Sequence, residues 1–173
     1  DVDLLFLLAT PPDDDTTERL TQMIGLFWDI GLDIGHSVRT VAECLEEAGR
    51  DITVLTNLLE ARLVGGNARL FGTFEAALRT LVDPGQFFKA KRLEQDQRYT
   101  RHDDTPYSLE PNCKESPGGL RDLQLIGWIS RAAGFGTHWR DLARHQLITP
   151  DEATELRELE RFLQPVRIRL HHL

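Results

Sequence analysis

Apolar residues follow two rhythms along this chain, and the rhythm changes near Gly65-Gly66. Ahead of that point the runs are short and strand-like. Residues 2–9 are almost wholly apolar and read as a buried strand. Pro11-Pro12 followed by Asp13-Asp14-Asp15 then forces an exposed loop. Residues 17–23 fit a short helix, and residues 26–34 read as a second strand with Asp29 and Asp33 on one side. Ser37 is placed to cap a helix carrying Val38, Val41, Cys44, Leu45 and Ala48 on one face, ended by Gly49. Residues 51–55 form a short β-rich run. Asn57 and Glu60 then have capping-box spacing for a helix over 58–64.

Beyond Gly65-Gly66 the spacing is helical. Leu70, Phe71, Phe74, Ala77, Leu78 and Leu81 share a face. Asp83-Pro84 is a helix start, with Pro at the first helical position. The helix that follows, through Phe87, Phe88, Lys91 and Leu93, is expected to be charged on its outer side. Residues 103–117 hold three prolines and read as loop. Leu120, Leu123, Ile126 and Ile129 begin another helix. Thr149-Pro150-Asp151-Glu152 is a capping box for a last one, with Leu156, Leu159, Leu163, Val166 and Leu170 as its stripe. The expected fold class is therefore α+β: a small mixed β-sheet core over residues 1–66, then an all-α helical bundle over 67–173.

Composition narrows the function. The chain has 173 residues, 40% of them hydrophobic, enough for a substantial core. Its net charge of −8 argues against broad binding to nucleic acid, and no apolar run has membrane-spanning length. Cys44 and Cys113 stand far apart without metal-type spacing, so reduced thiols in a cytoplasmic protein are the simplest account.

Three groups of residues carry candidate chemistry. Asp1 and Asp3 stand two apart at the head of the first strand, so they point to the same side. Such a pair suits a divalent cation carrying a nucleoside triphosphate, because Mg2+ prefers one or two carboxylates plus substrate phosphates. A frayed, solvated strand end is the plain alternative. A third carboxylate on a neighbouring strand would strengthen the case. Asp29, between Trp28 and Ile30, is favoured, with Asp33 and Asp51 competing. The second group is Leu109-Glu110-Pro111-Asn112-Cys113-Lys114-Glu115-Ser116-Pro117-Gly118-Gly119-Leu120-Arg121-Asp122. It reads either as a phosphate-facing segment, with glycines allowing close approach, free N–H groups at a helix start and two cations, or as a surface loop before a helix. The third, Gly35-His36-Ser37-Val38-Arg39, is most simply a helix cap.

The run Asp1-Val2-Asp3-Leu4-Leu5 resembles the metal-binding strand of the polymerase-β-like nucleotidyltransferase superfamily. Residues 28–40, from Trp28-Asp29-Ile30 to Val38-Arg39-Thr40, resemble the bacterial PII uridylyltransferase/uridylyl-removing enzymes. So do Asp51-Ile52-Thr53 with Leu58-Leu59-Glu60-Ala61-Arg62, and Leu109-Glu110-Pro111-Asn112 through to Asp122. This resemblance covers essentially the whole chain. It implies transfer of UMP from UTP to a tyrosine of the nitrogen-signalling protein PII, with release of pyrophosphate and a need for Mg2+ or Mn2+. It implies Asp1 and Asp3 as metal ligands. By parallel with glutamine-synthetase adenylyltransferases it makes Asp29 the third carboxylate. The same parallel sets Lys114, Gly118, Gly119, Arg121 and Asp122 near the nucleotide.

The superfamily has a Gly-Ser-type pair just before its acids, and that stretch is not in this chain. Nor does the sequence hold the His-Asp hydrolase domain or the ACT domains of the full-length family. The expectation is thus a truncated piece of a longer enzyme, weak or inactive alone. Two other readings stand beside it. One is an adenylyltransferase acting on glutamine synthetase. The other is a catalytically silent regulatory docking module.

Overall fold

The apolar run at the head of the chain forms a strand, β1 (Val2–Leu8). The computed structural model describes residues 2–101 and 112–171, in two compact units, Asp1–Leu81 and Val82–Leu173. In the first, β1 leads to helix α1 (Asp14–Asp29). Asp13 caps this helix, its Oδ1 accepting from Thr16 N at 2.9 Å. The helix runs on through residues expected to be a second strand. Leu20, Ile24 and Phe27 recur at helical spacing, and Ile24 is buried. It ends in a Schellman motif: Leu32 N donates to Phe27 O and Gly31 N to Trp28 O, each at 2.9 Å. Gly31 supplies the left-handed residue, with φ +81°. Asp29 is therefore the last residue of a helix and not part of a strand.

The second strand lies later, as β2 (Ile34–Thr40), parallel to β1 in a two-stranded sheet. Val2 pairs with Ile34, Asp3 with Gly35, Leu5 with Ser37 and Leu8 with Thr40. The described part of the chain is mostly helical with this small parallel sheet, compatible with an α+β class. A mixed sheet is not what the described residues form.

Ser37 is thus mid-strand, and the cap of α2 (Val41–Arg50) is Thr40. Thr40 N donates to Glu43 Oε2 at 2.7 Å and Glu43 N donates back to Thr40 Oγ1 at 3.3 Å. The β-rich run at 51–55 is helical as well, in α3 (Ile52–Leu59). Asp51 Oδ1 accepts from Thr53 N at 2.6 Å, and Leu55, Thr56 and Leu58 are buried, so packing overrides the β propensity of Ile-Thr-Val. Asn57 lies inside α3, which ends at Leu59, and no separate helix forms up to residue 64. Helix α4 (Ala68–Leu81) follows, burying Phe74 and Leu78. It packs on α2 and β1.

The second unit holds α5 (Pro84–Arg101), α6 (Leu120–Ala132), α7 (Trp139–Arg144) and α8 (Pro150–His171). Asp83 caps α5, accepting from Gln86 N at 2.9 Å. Thr149 and Glu152 form the expected box at the start of α8. Trp139 of α7 donates to Glu160 of α8 at 3.0 Å. One face of α5 departs from the sequence expectation. Phe88 and Leu93 are exposed, while Lys91 is only 3% exposed and Arg98 is buried.

Thr40→Ala should lower the stability of the first unit by about 1 kcal/mol, as loss of an N-cap hydroxyl does. Thermal unfolding would show this, with Thr40→Ser restoring the midpoint. Ser37→Ala should leave the helical circular dichroism unchanged.

Candidate active site

The parallel register decides which side chains share a face of the sheet. Asp3, Leu5 and Leu7 lie on the side of Gly35, Ser37 and Arg39. Val2, Leu4, Phe6 and Leu8 lie on the side of Ile34, His36, Val38 and Thr40. Asp3 is exposed, and its carboxylate lies over Gly35, its register partner. A Cβ at residue 35 would stand in the place of that carboxylate, so Gly35 makes a cradle in which the carboxylate rests.

Asp29 is placed differently. Its neighbour Trp28 meets His36 edge-on, with ring centroids 5.9 Å apart. His36 belongs to the face opposite Asp3. The expected set of three acids on adjacent strands is therefore not what the described residues form. Among them, no group of three or more His, Cys, Asp and Glu side chains is gathered to hold a metal ion. Asp1 lies outside the described residues. Of the two competing acids, Asp33 is exposed and immediately precedes β2. Asp51 caps α3.

The second candidate group lies wholly in the second unit. Its first residues, Leu109-Glu110-Pro111, fall outside the described residues. Asn112 Oδ1 accepts from Lys114 N and Glu115 N, both at 3.0 Å, which turns the chain. The backbone then folds onto the start of α6. Leu120 N donates to Cys113 O and Arg121 N to Lys114 O, each at 2.9 Å, and Asp122 N donates to Gly119 O at 3.0 Å. The first N–H groups of α6, expected to be free for phosphate, are thus engaged by the loop itself. Gly119 is required for the same reason. A Cβ there would sit 2.8 Å from Cys113 O and 2.9 Å from Ser116 O.

Asp122 holds this loop to α5. It accepts from Arg98, from Tyr99 Oη at 2.6 Å, from Gln95 Nε2 at 3.1 Å and from Gly118 N at 2.7 Å. Burial pushes its carboxyl up, but the hydrogen bonds from Tyr99, Gln95, Arg98 and Gly118 outweigh that and hold it below the ordinary 3.8. Sequence reasoning missed Gln95, Arg98 and Tyr99. Their signal was present, since Phe87, Lys91, Gln95 and Arg98 follow one another at helical spacing along one side of α5.

The two cations of the loop stay near its surface. Arg121 reaches Glu115 at 3.0 Å and Gln124 at 3.0 Å, and its guanidinium lies 5.4 Å from the Trp128 ring centroid. Lys114 Nζ is 3.7 Å from the same Glu115. Burial raises the Glu115 carboxyl, and the Arg121 hydrogen bond and charge, with help from Lys114, bring it below its ordinary value. Lys91 is sealed off from solvent, 5.1 Å from the Trp128 ring centroid and paired with Glu94 at 2.8 Å. Both cysteines are free thiols, and burial pushes the Cys44 thiol up. Among the described residues no helix is long and apolar enough to cross a membrane.

Removing the Asp122 carboxylate leaves Arg98 buried without its counter-ion, so Asp122→Ala should destabilise the chain by about 3 kcal/mol. The lowered carboxyl contributes stability above its ordinary value of 3.8, and that stability is lost as pH falls through the lower folded value. Denaturant midpoints taken from neutral to acid pH should therefore fall below about pH 4 in the parent chain. Asp122→Asn should flatten part of that fall.

The model of the family described as GlnD PII-uridylyltransferase matches residues 86–173. The bifunctional uridylyltransferase/uridylyl-removing enzyme of Aromatoleum aromaticum is 62% identical over 173 residues, covering 100% of this chain and 20% of that protein. The same-named enzyme of Cupriavidus pinatubonensis is 54% identical over 171 residues, 99% of this chain and 20% of that protein. That of Nitrosospira multiformis is 55% identical over 179 residues, with 100% and 20% covered. The chain spans about a fifth of the length of these curated relatives. No solved structure matches it.

Proposed function

Because the chain belongs to the GlnD PII-uridylyltransferase family, we propose that it is part of an enzyme that transfers UMP from UTP to a tyrosine of PII in the cytoplasm, releasing pyrophosphate. The observation that carries this reading is its likeness, over the full chain, to uridylyltransferase/uridylyl-removing enzymes. The exposed Asp3 carboxylate lying over Gly35 supports it.

In this reading Asp1 and Asp3 hold a divalent cation, Mg2+ or Mn2+, with the Asp3 carboxylate over Gly35. Such an ion, when bound, neutralises charge on the triphosphate and the departing pyrophosphate. By the family likeness, Lys114 and Arg121 are nucleotide-binding residues of the second unit. Gly118, Gly119 and Asp122 act one step back, fixing the loop that carries Lys114 and leads into Arg121 of α6. Gly119 does so by its fit beneath the loop carbonyls, and Asp122 by its bonds to Gly118 N and to α5. For the third carboxylate the reading favours Asp33, which immediately precedes β2 and would continue its alternation toward the Gly35 side, over Asp29, which ends α1.

The test is labelled-UMP transfer to PII by the whole enzyme. Asp3→Asn should lower transfer by orders of magnitude at unchanged thermal stability. Asp33→Asn should lower it more than Asp29→Asn, and the reverse order would return the third carboxylate to Asp29. Transfer from ATP to glutamine synthetase in place of UTP to PII would favour the adenylyl alternative. Full transfer by Asp3→Asn would remove the assigned site.

A further inference from the structure

We infer that Gly35 is a positioning residue for the Asp3 carboxylate, and that its missing side chain sets the direction in which that carboxylate points. The inference rests on the reading of Asp3 as a cation ligand. It starts from a question about Gly35 itself. Glycine in a strand weakens the strand, so its presence there marks a close approach of something else. Left-handed backbone is not the reason, since Gly35 is not among the residues with positive φ. Core packing is not the reason, since Gly35 is exposed. Among the described residues, the space a Cβ would take meets only Asp3 within 4 Å, through Oδ1 and through Cγ at 3.5 Å.

Other glycines of the chain answer to different needs. Gly119 is hemmed in by three backbone carbonyls, which cannot move without unmaking the loop. Gly31 and Gly118 sit at φ +81° and +78°. At Gly35 the obstacle is the far end of a flexible side chain. A methyl group there would leave the strand pairing of Asp3 with residue 35 intact and would turn the carboxylate away about its own χ angles. The cost of substitution falls on the aim of Asp3 and not on the fold. Metal ligands respond strongly to such changes, because the groups that orient them set affinity.

The test uses the whole enzyme and four proteins: the parent, Gly35→Ala, Asp3→Ala and the double variant. Three quantities are measured: Mn2+ affinity without nucleotide by electron paramagnetic resonance, the metal-free thermal midpoint, and kcat and KM for UMP transfer. Gly35→Ala should weaken Mn2+ binding about 10- to 100-fold, the usual range for disturbing a group that orients a ligand. Its metal-free midpoint should stay within a few degrees of the parent, with kcat reduced. In the Asp3→Ala background the same substitution should cost no further affinity, and it should raise the midpoint, because alanine suits a strand better than glycine. Parent-like Mn2+ affinity in Gly35→Ala, with binding lost in Asp3→Ala, would overturn the role of Gly35 and leave the proposed function standing. An equal loss from Gly35→Ala with and without Asp3 would overturn it too, as a general strand defect. Parent-like binding and transfer in Asp3→Ala would instead overturn the reading of Asp3 on which the inference rests.

Discussion

The parallel ladder between β1 and β2 is the constraint from which the first unit follows. Parallel strands cannot be joined by a tight turn, so the chain must cross over, and α1 is that crossover. The ladder also fixes which residues are neighbours. One residue of slip would exchange the two faces and carry Asp3 from beside Gly35 to beside His36. The side of the sheet on which a carboxylate stands is thus decided by backbone hydrogen bonds made along the whole strand. Thr40 closes this arrangement by ending β2 and starting α2 in the same residue.

In the second unit a single carboxylate has a comparable reach. Asp122 is bound from the helix before its own, α5, and from the loop in front of α6. It is 15% exposed and its partner Arg98 10%, so both charges depend on each other for their place in a mostly dry setting. The loop that carries Lys114 and leads into Arg121 of α6 is accordingly a braced object. Its carbonyls accept from the helix N–H groups, and Gly119 fits beneath those carbonyls. Lys114 and Arg121 share the carboxylate of Glu115, and Arg121 is held further by Gln124 and by the Trp128 ring.

Helices with caps and long apolar stripes were legible in the sequence. α4, α5, α6 and α8 form where Phe74 and Leu78, Asp83-Pro84, Leu120 and Thr149-Pro150 announce them. The errors share one cause. Around residues 26–34 and 51–55 the apolar residues are dense enough to fit either period, and β-branched side chains tip a local reading toward strand. What decided against it was tertiary burial of Ile24 and Leu55, together with two local signals, the Gly31 termination and the Asp51 cap. β2 was hard to see because a sequence such as Gly-His-Ser-Val-Arg takes its strand character from pairing with β1. At the candidate site the acids and the Gly-Gly loop could be named from sequence. Their partners could not, because Asp122 meets α5 across more than twenty positions.

A sheet of two strands has two rims. Each rim is a row of N–H and C=O groups on the outer side of β1 or β2, and among the described residues no further strand takes them up. Rows of this kind attract any extended peptide that can align with them. β1 is apolar along almost its entire length, so it offers little charge to repel a newcomer. In isolation, then, the stretch that aims Asp3 also serves as a template for strand addition. Colloidal behaviour of this piece of chain will be governed by its rims before it is governed by its core.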